Sequence, residues 1–301
     1  MAATNENHGL GVAPLSALDL PHADYIRAAH AAGFGAVGLR LEQVTPSDPP
    51  FPRDRRSPGF RKVREALEDT GLEVLDVEVL TIRPGTGPKH WMPLLELGAE
   101  LGAKFLNVGG EDPSLSQFAD TVGRLTQDAH THGLQPVLEP VAFRPLNNFD
   151  RAVDIAREAG CAVILDVLHF VRTHTDLTTI AKNADLFPVF QICDAPTEPP
   201  RHGNPGDRQG SIPNLVEDMI AEARSQRLVP GDEAGVAPIR ELLDILGTAT
   251  RISVEIPNAN LRANRLATDY LRMLHTSVAE YLSQSPRRRM SSDTPQGPPE
   301  R

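Results

Sequence analysis

Glu139, Asp166, Gln191 and Glu255 each stand where a run of apolar, strand-forming residues stops. Glu139 follows Pro136, Val137 and Leu138; Asp166 follows Val163, Ile164 and Leu165; Gln191 follows Pro188, Val189 and Phe190; and Glu255 follows Ile252, Ser253 and Val254. An ionised carboxylate taken from water without a partner costs several kcal/mol or changes its pKa. Three carboxylates in such positions therefore call for a cation. The four donors are all oxygens, with neither thiolate nor imidazole, and hard oxygen donors favour Mg²⁺ or Mn²⁺ over Zn²⁺, with Co²⁺ as a substitute. Each acid alone reads equally well as a rim residue held in a salt bridge. Four of them at successive strand ends point to one site.

The elements that must carry these residues alternate. Strand-like runs at about 8–13, 36–41, 72–80, 104–109, 135–139, 162–166, 188–193 and 252–256 are separated by helical periodicity, as in Leu115, Phe118, Val122, Leu125 and Ala129. Gly33, Gly71, Gly102, Gly133 and Gly160 each precede a strand, where a left-handed cap turns a helix back toward the sheet. Eight such units are the number that closes a (β/α)8 TIM barrel, an α/β fold in one domain. Catalytic groups of that fold sit at the C-terminal strand ends, which is the register of all four residues. The seventh and eighth strands are separated by an insertion. Its first part, 196–213, reads as a long loop over the site, followed by helices near 214–227 and 237–246 with a turn over 230–235. Leu266, Tyr270, Leu274, Val278 and Tyr281 mark a closing helix. The barrel is expected to span 8–283, and the tail 284–301, with no apolar period, to be disordered.

Composition narrows the partners. A chain of 301 residues with 40% hydrophobic residues buries a large core, and its formal charge of −10 argues against a surface that grips nucleic acid. Arg53, Arg55, Arg56, Arg61, Lys62 and Arg64 interrupt that balance, as a solvated face or, less in keeping with charge runs generally, an anion clamp. No apolar run suits a membrane span, and residues 1–9 are too polar for a secretory segment, so the default compartment is the cytoplasm. The two cysteines, Cys161 and Cys193, read as reduced core residues.

The motifs around the four residues resemble those of the xylose-isomerase-like TIM-barrel superfamily, the sugar phosphate isomerase/epimerase group. The resemblance rests on Leu138, Glu139 and Pro140; on Leu165 and Asp166 with His169 three residues on; on Phe190, Gln191 and Asp194; and on Val254, Glu255 and Pro257. It implies that Glu139, Asp166, Gln191 and Glu255 bind one divalent metal. Glutamine at 191 leans toward hydroxypyruvate isomerase-like members, although the glycine-rich loop expected after that strand is not recognisable in 195–203. The segment Arg227, Pro230, Gly231 resembles one whose arginine faces the substrate, against the plain alternative of a helix-end arginine.

The resemblance implies isomerisation or epimerisation of a small polyhydroxylated substrate: a sugar, sugar phosphate or hydroxy-ketone. Such chemistry removes a proton from the carbon beside a carbonyl, and a metal that holds both oxygens stabilises the resulting enediolate. Glu139 and Glu255 would share the proton transfers as catalytic groups, with Asp166 and Gln191 as ligands only. His169, Asn107, Arg227 and Arg40 are candidate substrate contacts. For Asn107 the nearby Gly109 and Gly110 permit close backbone approach, whereas Arg40 reads equally as a structural ion pair and Glu78 somewhat better as a satisfied rim residue. A dehydratase of the inosose or dehydroshikimate type would use the same groups. A non-catalytic binding protein predicts that metal is absent or that both glutamates turn from the pocket. An endonuclease IV-like zinc cluster fits poorly, because Gln191 stands where an imidazole is needed. Relatives are often dimers or tetramers, so a homo-oligomer is possible.

Overall fold

The computed structural model describes residues 9–201 and 214–284. In chain order the elements are β1 (Gly11–Val12), α1 (His22–Ala32), β2 (Ala36–Arg40), α2 (Pro58–Thr70), β3 (Glu73–Ile82), α3 (Pro88–Glu100), β4 (Phe105–Gly110), α4 (Leu115–Thr131), β5 (Gln135–Glu139), α5 (Phe149–Ala159) and β6 (Ala162–Asp166). There follow α6 (Val167–Arg172), α7 (Leu177–Lys182), β7 (Val189–Ile192), α8 (Leu215–Ser225), α9 (Ile239–Leu246), β8 (Arg251–Val254), α10 (Ala259–Arg262) and α11 (Ala267–Ser283). The strands pair in parallel, each with the next and β8 with β1, into a closed barrel of eight. The expected (β/α)8 architecture is therefore the observed one. The first strand is shorter than its apolar run suggested, because Pro14 opens a 3-10 turn after Val12 and ends the ladder.

Strand alternation decides where the polar residues point. Ala36, Leu75, Val137, Ala162, Ile164 and Val189 form a small core inside the barrel, while the larger core lies between the strands and the helices. Residues two apart share a strand face. Val137 thus sends Glu139 inward, Ile164 sends Asp166 inward and Val189 sends Gln191 inward. The helices turn the opposite way. In α4, Phe118, Val122, Leu125 and Ala129 are all buried, as their spacing requires. Gly33 and Gly160 close α1 and α5 with φ of 102° and 70°, a backbone region that side chains with a Cβ avoid.

The insertion folds back over the rim. Its helices α8 and α9 lie close to the expected positions, whereas residues 202–213 of the loop, like the tail from 285, lie outside the described residues. Arg172 anchors α8 through a buried ion pair with Glu222, its Nε 2.6 Å from Oε2, and donates to the carbonyl of Pro196 at 2.9 Å. Arg224 reaches across to Asp48 at 3.0 Å. The basic run follows the surface reading: Arg53 pairs with Glu42, Arg55 with Glu100 and Arg64 with Glu68, and these side chains are roughly half exposed. Both cysteines are buried and free. No helix among the described residues is long and apolar enough to cross a membrane.

Asp194, just past β7, organises the turn after α8. Its carboxylate accepts from the backbone N–H of Ala195 (2.8 Å), Ala237 (3.0 Å) and Gly231 (3.2 Å). A Cβ on Gly235 would fall 2.3 Å from Asp194 Oδ2, so glycine is required there. Asp194→Ala strands three backbone donors, and we expect it to lower unfolding free energy in urea by about 3 kcal/mol while the far-ultraviolet circular dichroism stays that of the native barrel.

Candidate active site at the C-terminal rim

Register brings the predicted residues side by side. Asp166 pairs with Gln191 across β6 and β7, Gly109 pairs with Glu139 across β4 and β5, and Arg40 pairs with Glu78 across β2 and β3. Glu255 follows β8 directly, and its neighbours fix it: Ser16 donates to the carbonyl of Val254 at 3.1 Å and accepts from Ile256 N–H at 3.0 Å. A cavity of about 450 Å³ opens over this rim. Glu139, Glu255, His169, Asn107, Arg40 and Arg227 all line it. Asp166 and Gln191 lie fully buried among them.

Arg227 is the centre of the floor. Its Nη1 donates to Asp166 Oδ2 at 2.7 Å and its Nη2 lies 3.1 Å from Glu255 Oε2. The side chain is held in turn: Nε donates to the carbonyl of Ala223 at 3.1 Å, and Asn258 donates to the Arg227 carbonyl at 2.9 Å. Gln191 completes the cluster: one end of its amide lies 3.2 Å from both Glu255 Oε2 and Asp166 Oδ2, where its nitrogen would donate to the two acids and its oxygen would join theirs as a donor set for a cation. Arg227 was expected as a substrate contact; it lines the cavity, but both terminal nitrogens are already committed to carboxylates. Arg40 is bound likewise, with Nη2 2.6 Å from Glu78 Oε1 and Nη1 3.3 Å from Asp48. It faces the cavity as part of a buried ion-pair network.

Glu139 stands apart from these arginines. Among the described residues its one ion-pair partner is His169, with Nε2 at 3.8 Å. Its side chain keeps 15% exposure, toward the cavity it lines. Burial, reinforced by Asp166 and Glu78, pushes its carboxyl up from the ordinary 4.5 to about 7, against Arg144 and Arg227. Burial also raises Glu255 well above the usual range; Arg227 opposes this, while Asp166, Glu78 and Glu139 add to it. For Asp166 burial acts upward too, but Arg227, helped by His169 and by bonds from Glu255 and Arg227, holds it below the usual carboxylate range. In this tightly coupled pair Asp166 is the ion and Glu255 holds the proton. Burial lowers His169 to about 4, so its ring is neutral.

These donors suit a divalent cation. One ligand atom each from Glu139, Asp166 and His169 lie within 4.8 Å of one another. The two carboxylates suit Mn²⁺ or Mg²⁺, whereas the neutral imidazole beside them is a donor that softer transition metals take more readily than Mg²⁺. Glu139, with no arginine or lysine paired to it among the described residues, supplies charge that a cation would balance. The structure thus divides the four predicted ligands: Asp166, Gln191 and Glu255 gather round Arg227, and Glu139 meets Asp166 beside His169.

Three features escaped sequence reasoning. Asp76 is fully buried, neither oxygen has a hydrogen-bond partner, and burial together with Glu78 and Glu139 raises its carboxyl well above the usual range. A Cβ on Gly38 would come 2.3 Å from Asp76 Oδ1, so that glycine makes its room. Arg144 and Arg224 also line the cavity. The one signal that could have found Asp76 is an acid flanked by Leu75 and Val77 inside a strand.

A closed parallel barrel with buried acids on its C-terminal rim defines the class of protein. Residues 26–276 match the family described as xylose isomerase-like TIM barrel, and the chain belongs to it. No curated protein matches it in sequence. Among solved structures, a xylose isomerase domain containing protein from Salmonella typhimurium is 18% identical with a TM-score of 0.70, over 94% of this chain and 99% of that one. A xylose isomerase-like TIM barrel protein from Mycobacterium smegmatis in complex with magnesium is 15% identical with a TM-score of 0.57, over 93% and 99%. A probable 3-DHS dehydratase involved in petrobactin synthesis, from Bacillus anthracis, is 13% identical with a TM-score of 0.62, over 90% and 98%. At these identities the likeness is one of fold.

Two measurements test this electrostatic account. Arg227→Met leaves Asp166 and Glu255 without their guanidinium, and in chelator it should cost about 3–5 kcal/mol of unfolding free energy in urea. Glu139, raised in the folded state, contributes stability that is full below 4.5 and is lost as pH rises through about 7. His169, lowered to about 4 from 6.5, has the opposite sign, its contribution being lost as pH falls through that window. Glu139→Gln isolates the first effect: in chelator, its melting temperature should match wild type near about pH 5 and exceed it near about pH 8.

Proposed function

We propose that this chain is a divalent-metal-dependent isomerase or epimerase of a small polyhydroxylated carbonyl compound: a sugar, a sugar phosphate or a hydroxy-ketone. The observation that carries this reading is that two glutamates with raised pKa, Glu139 and Glu255, come from strands on either side of Asp166 and Gln191 and line one cavity.

The chemistry follows from their protonation. The proton on a carbon beside a carbonyl is poorly acidic, and a base is most effective when its pKa lies near the working pH. Glu139, at about 7, meets that condition. Glu255, whose carboxyl burial also raises, is the second proton-transfer group and would return a proton to the neighbouring carbon or to the other face of the same carbon. Asp166, kept ionised by Arg227, orients both. Neutral His169 and Asn107, which both line the cavity, would hydrogen-bond substrate hydroxyls. Glu139, Asp166, Gln191 and Glu255 would hold Mn²⁺ or Mg²⁺, with His169 beside them, and the cation would supply a Lewis acid for the substrate oxygens. The complex of a structural neighbour with magnesium supports that choice.

Dehydration is the second reading, favoured by the protonated Glu255, which could equally protonate a leaving hydroxyl, and by the dehydratase among the structural neighbours. One experiment separates them: incubation with Mn²⁺ and a panel of small ketoses, aldoses and hydroxy-ketones in D₂O, followed by NMR. Isomerase or epimerase activity gives carbon-bound deuterium or an intramolecular hydrogen shift with water retained; a dehydratase gives a conjugated carbonyl. Glu139→Gln and Glu255→Gln should each lower turnover by at least about 10²-fold with the barrel still folded by far-ultraviolet circular dichroism, and retained activity in either removes that residue from proton transfer.

A further inference from the structure

Arg144 lies in the loop between β5 and α5, and its guanidinium forms part of the cavity wall. Its Nη1 is 2.9 Å from Glu111 Oε1, yet it is buried and no acceptor, Glu111 included, meets it in hydrogen-bond geometry. Glu111 is also shared with Arg83 at 2.7 Å, so the three side chains together carry net positive charge. A Cβ on Gly109 would stand 3.3 Å from the same Nη1, so the missing side chain makes room for the guanidinium against the wall. Gly109 pairs in register with Glu139, which places Arg144 beside the proposed base. Around it the wall is apolar: Val79, Val141, Phe143 and Pro145.

A buried donor without an acceptor costs free energy, and an apolar wall offers it none. The planar fork of a guanidinium matches the oxygens of a carboxylate or phosphate. We propose that the substrate of this cavity carries a carboxylate or phosphate group, that Arg144 binds it, and that the apolar wall packs against the adjoining carbon skeleton. The inference rests on the proposed function for placing the reacting carbons near Glu139, but the anion site itself is read by binding alone.

The test is saturation-transfer NMR titration of the Mn²⁺-supplemented full chain with glycerol, D-glycerate and glycerol 3-phosphate. One or both charged probes should bind at least about tenfold tighter than glycerol, and which of them does identifies the anion. Arg144→Met should abolish that advantage without changing glycerol binding, and Arg144→Lys should recover part of it. Arg83→Ala removes a charge from the same Glu111 on a side chain 58% exposed, outside the cavity lining, and should leave it intact. Equal affinity for glycerol and both charged probes, an unchanged Arg144→Met, or an equal loss in Arg83→Ala overturns the proposal. Melting temperatures establish that each variant is folded, with Arg144→Lys carrying the comparison should Arg144→Met fail. Because no turnover is measured, these outcomes are independent of the deuterium experiment.

Discussion

The buried ion pair of Arg227 with Asp166 and Glu255 is the interaction on which the rim depends. It places one guanidinium beneath more carboxylates than it can neutralise. Taking an arginine and two acids from water repays its cost only when geometry is good and the remaining lone pairs are met. Here the Ala223 carbonyl accepts from Arg227 Nε, Asn258 donates to the Arg227 backbone carbonyl, and Gln191 stands against both acids. The consequence is an unequal division: Asp166 is held as the ion, Glu255 is raised well above the usual range, and Glu139, with no arginine in ion-pair contact among the described residues, takes a pKa near neutrality. One residue from the insertion thereby sets the acid–base character of three barrel strands.

That dependence explains why the insertion is tied down so heavily. Asp194 gathers the turn that follows Arg227, Glu222 takes Arg172 in a buried pair, and Asp48 joins Arg224 to Arg40 and hence to Glu78. The first two tie the insertion to the chain leaving β7 and to α6, and the third ties α8 through the loop after β2 to strands β2 and β3. A site held within tenths of an ångström needs such support, because proton transfer falls off steeply with misplacement. The same helix α8 brings Ile220 and Ala223 over the cavity, adding apolar wall to a polar floor.

How much of this was legible follows from the range of the forces. Strand faces are set by local alternation, so Val137 before Glu139 and Ile164 before Asp166 sufficed to aim both acids inward. Helix stripes such as Phe118, Val122 and Leu125 were as plain. The length of β1 was not, because a proline after two strand residues sets it rather than hydropathy. Arg227 was visible as a residue near the site but not as the partner of Asp166, since nothing within 60 or so positions of chain reports a contact made by folding the insertion back. Arg144 looked like any loop arginine. Asp76 is hidden for a different reason: a carboxyl inside a strand reads as a surface position until Gly38 is seen to make room for it.

The central claim is that this unequal charge arrangement holds a divalent cation between Glu139 and Asp166. Anomalous diffraction from crystals grown with Mn²⁺, collected near the manganese edge, tests it directly. The account predicts one strong peak per chain within coordinating distance of both carboxylates. No peak there, with Arg227 still bridging Asp166 and Glu255 and Glu139 turned to solvent, would contradict it.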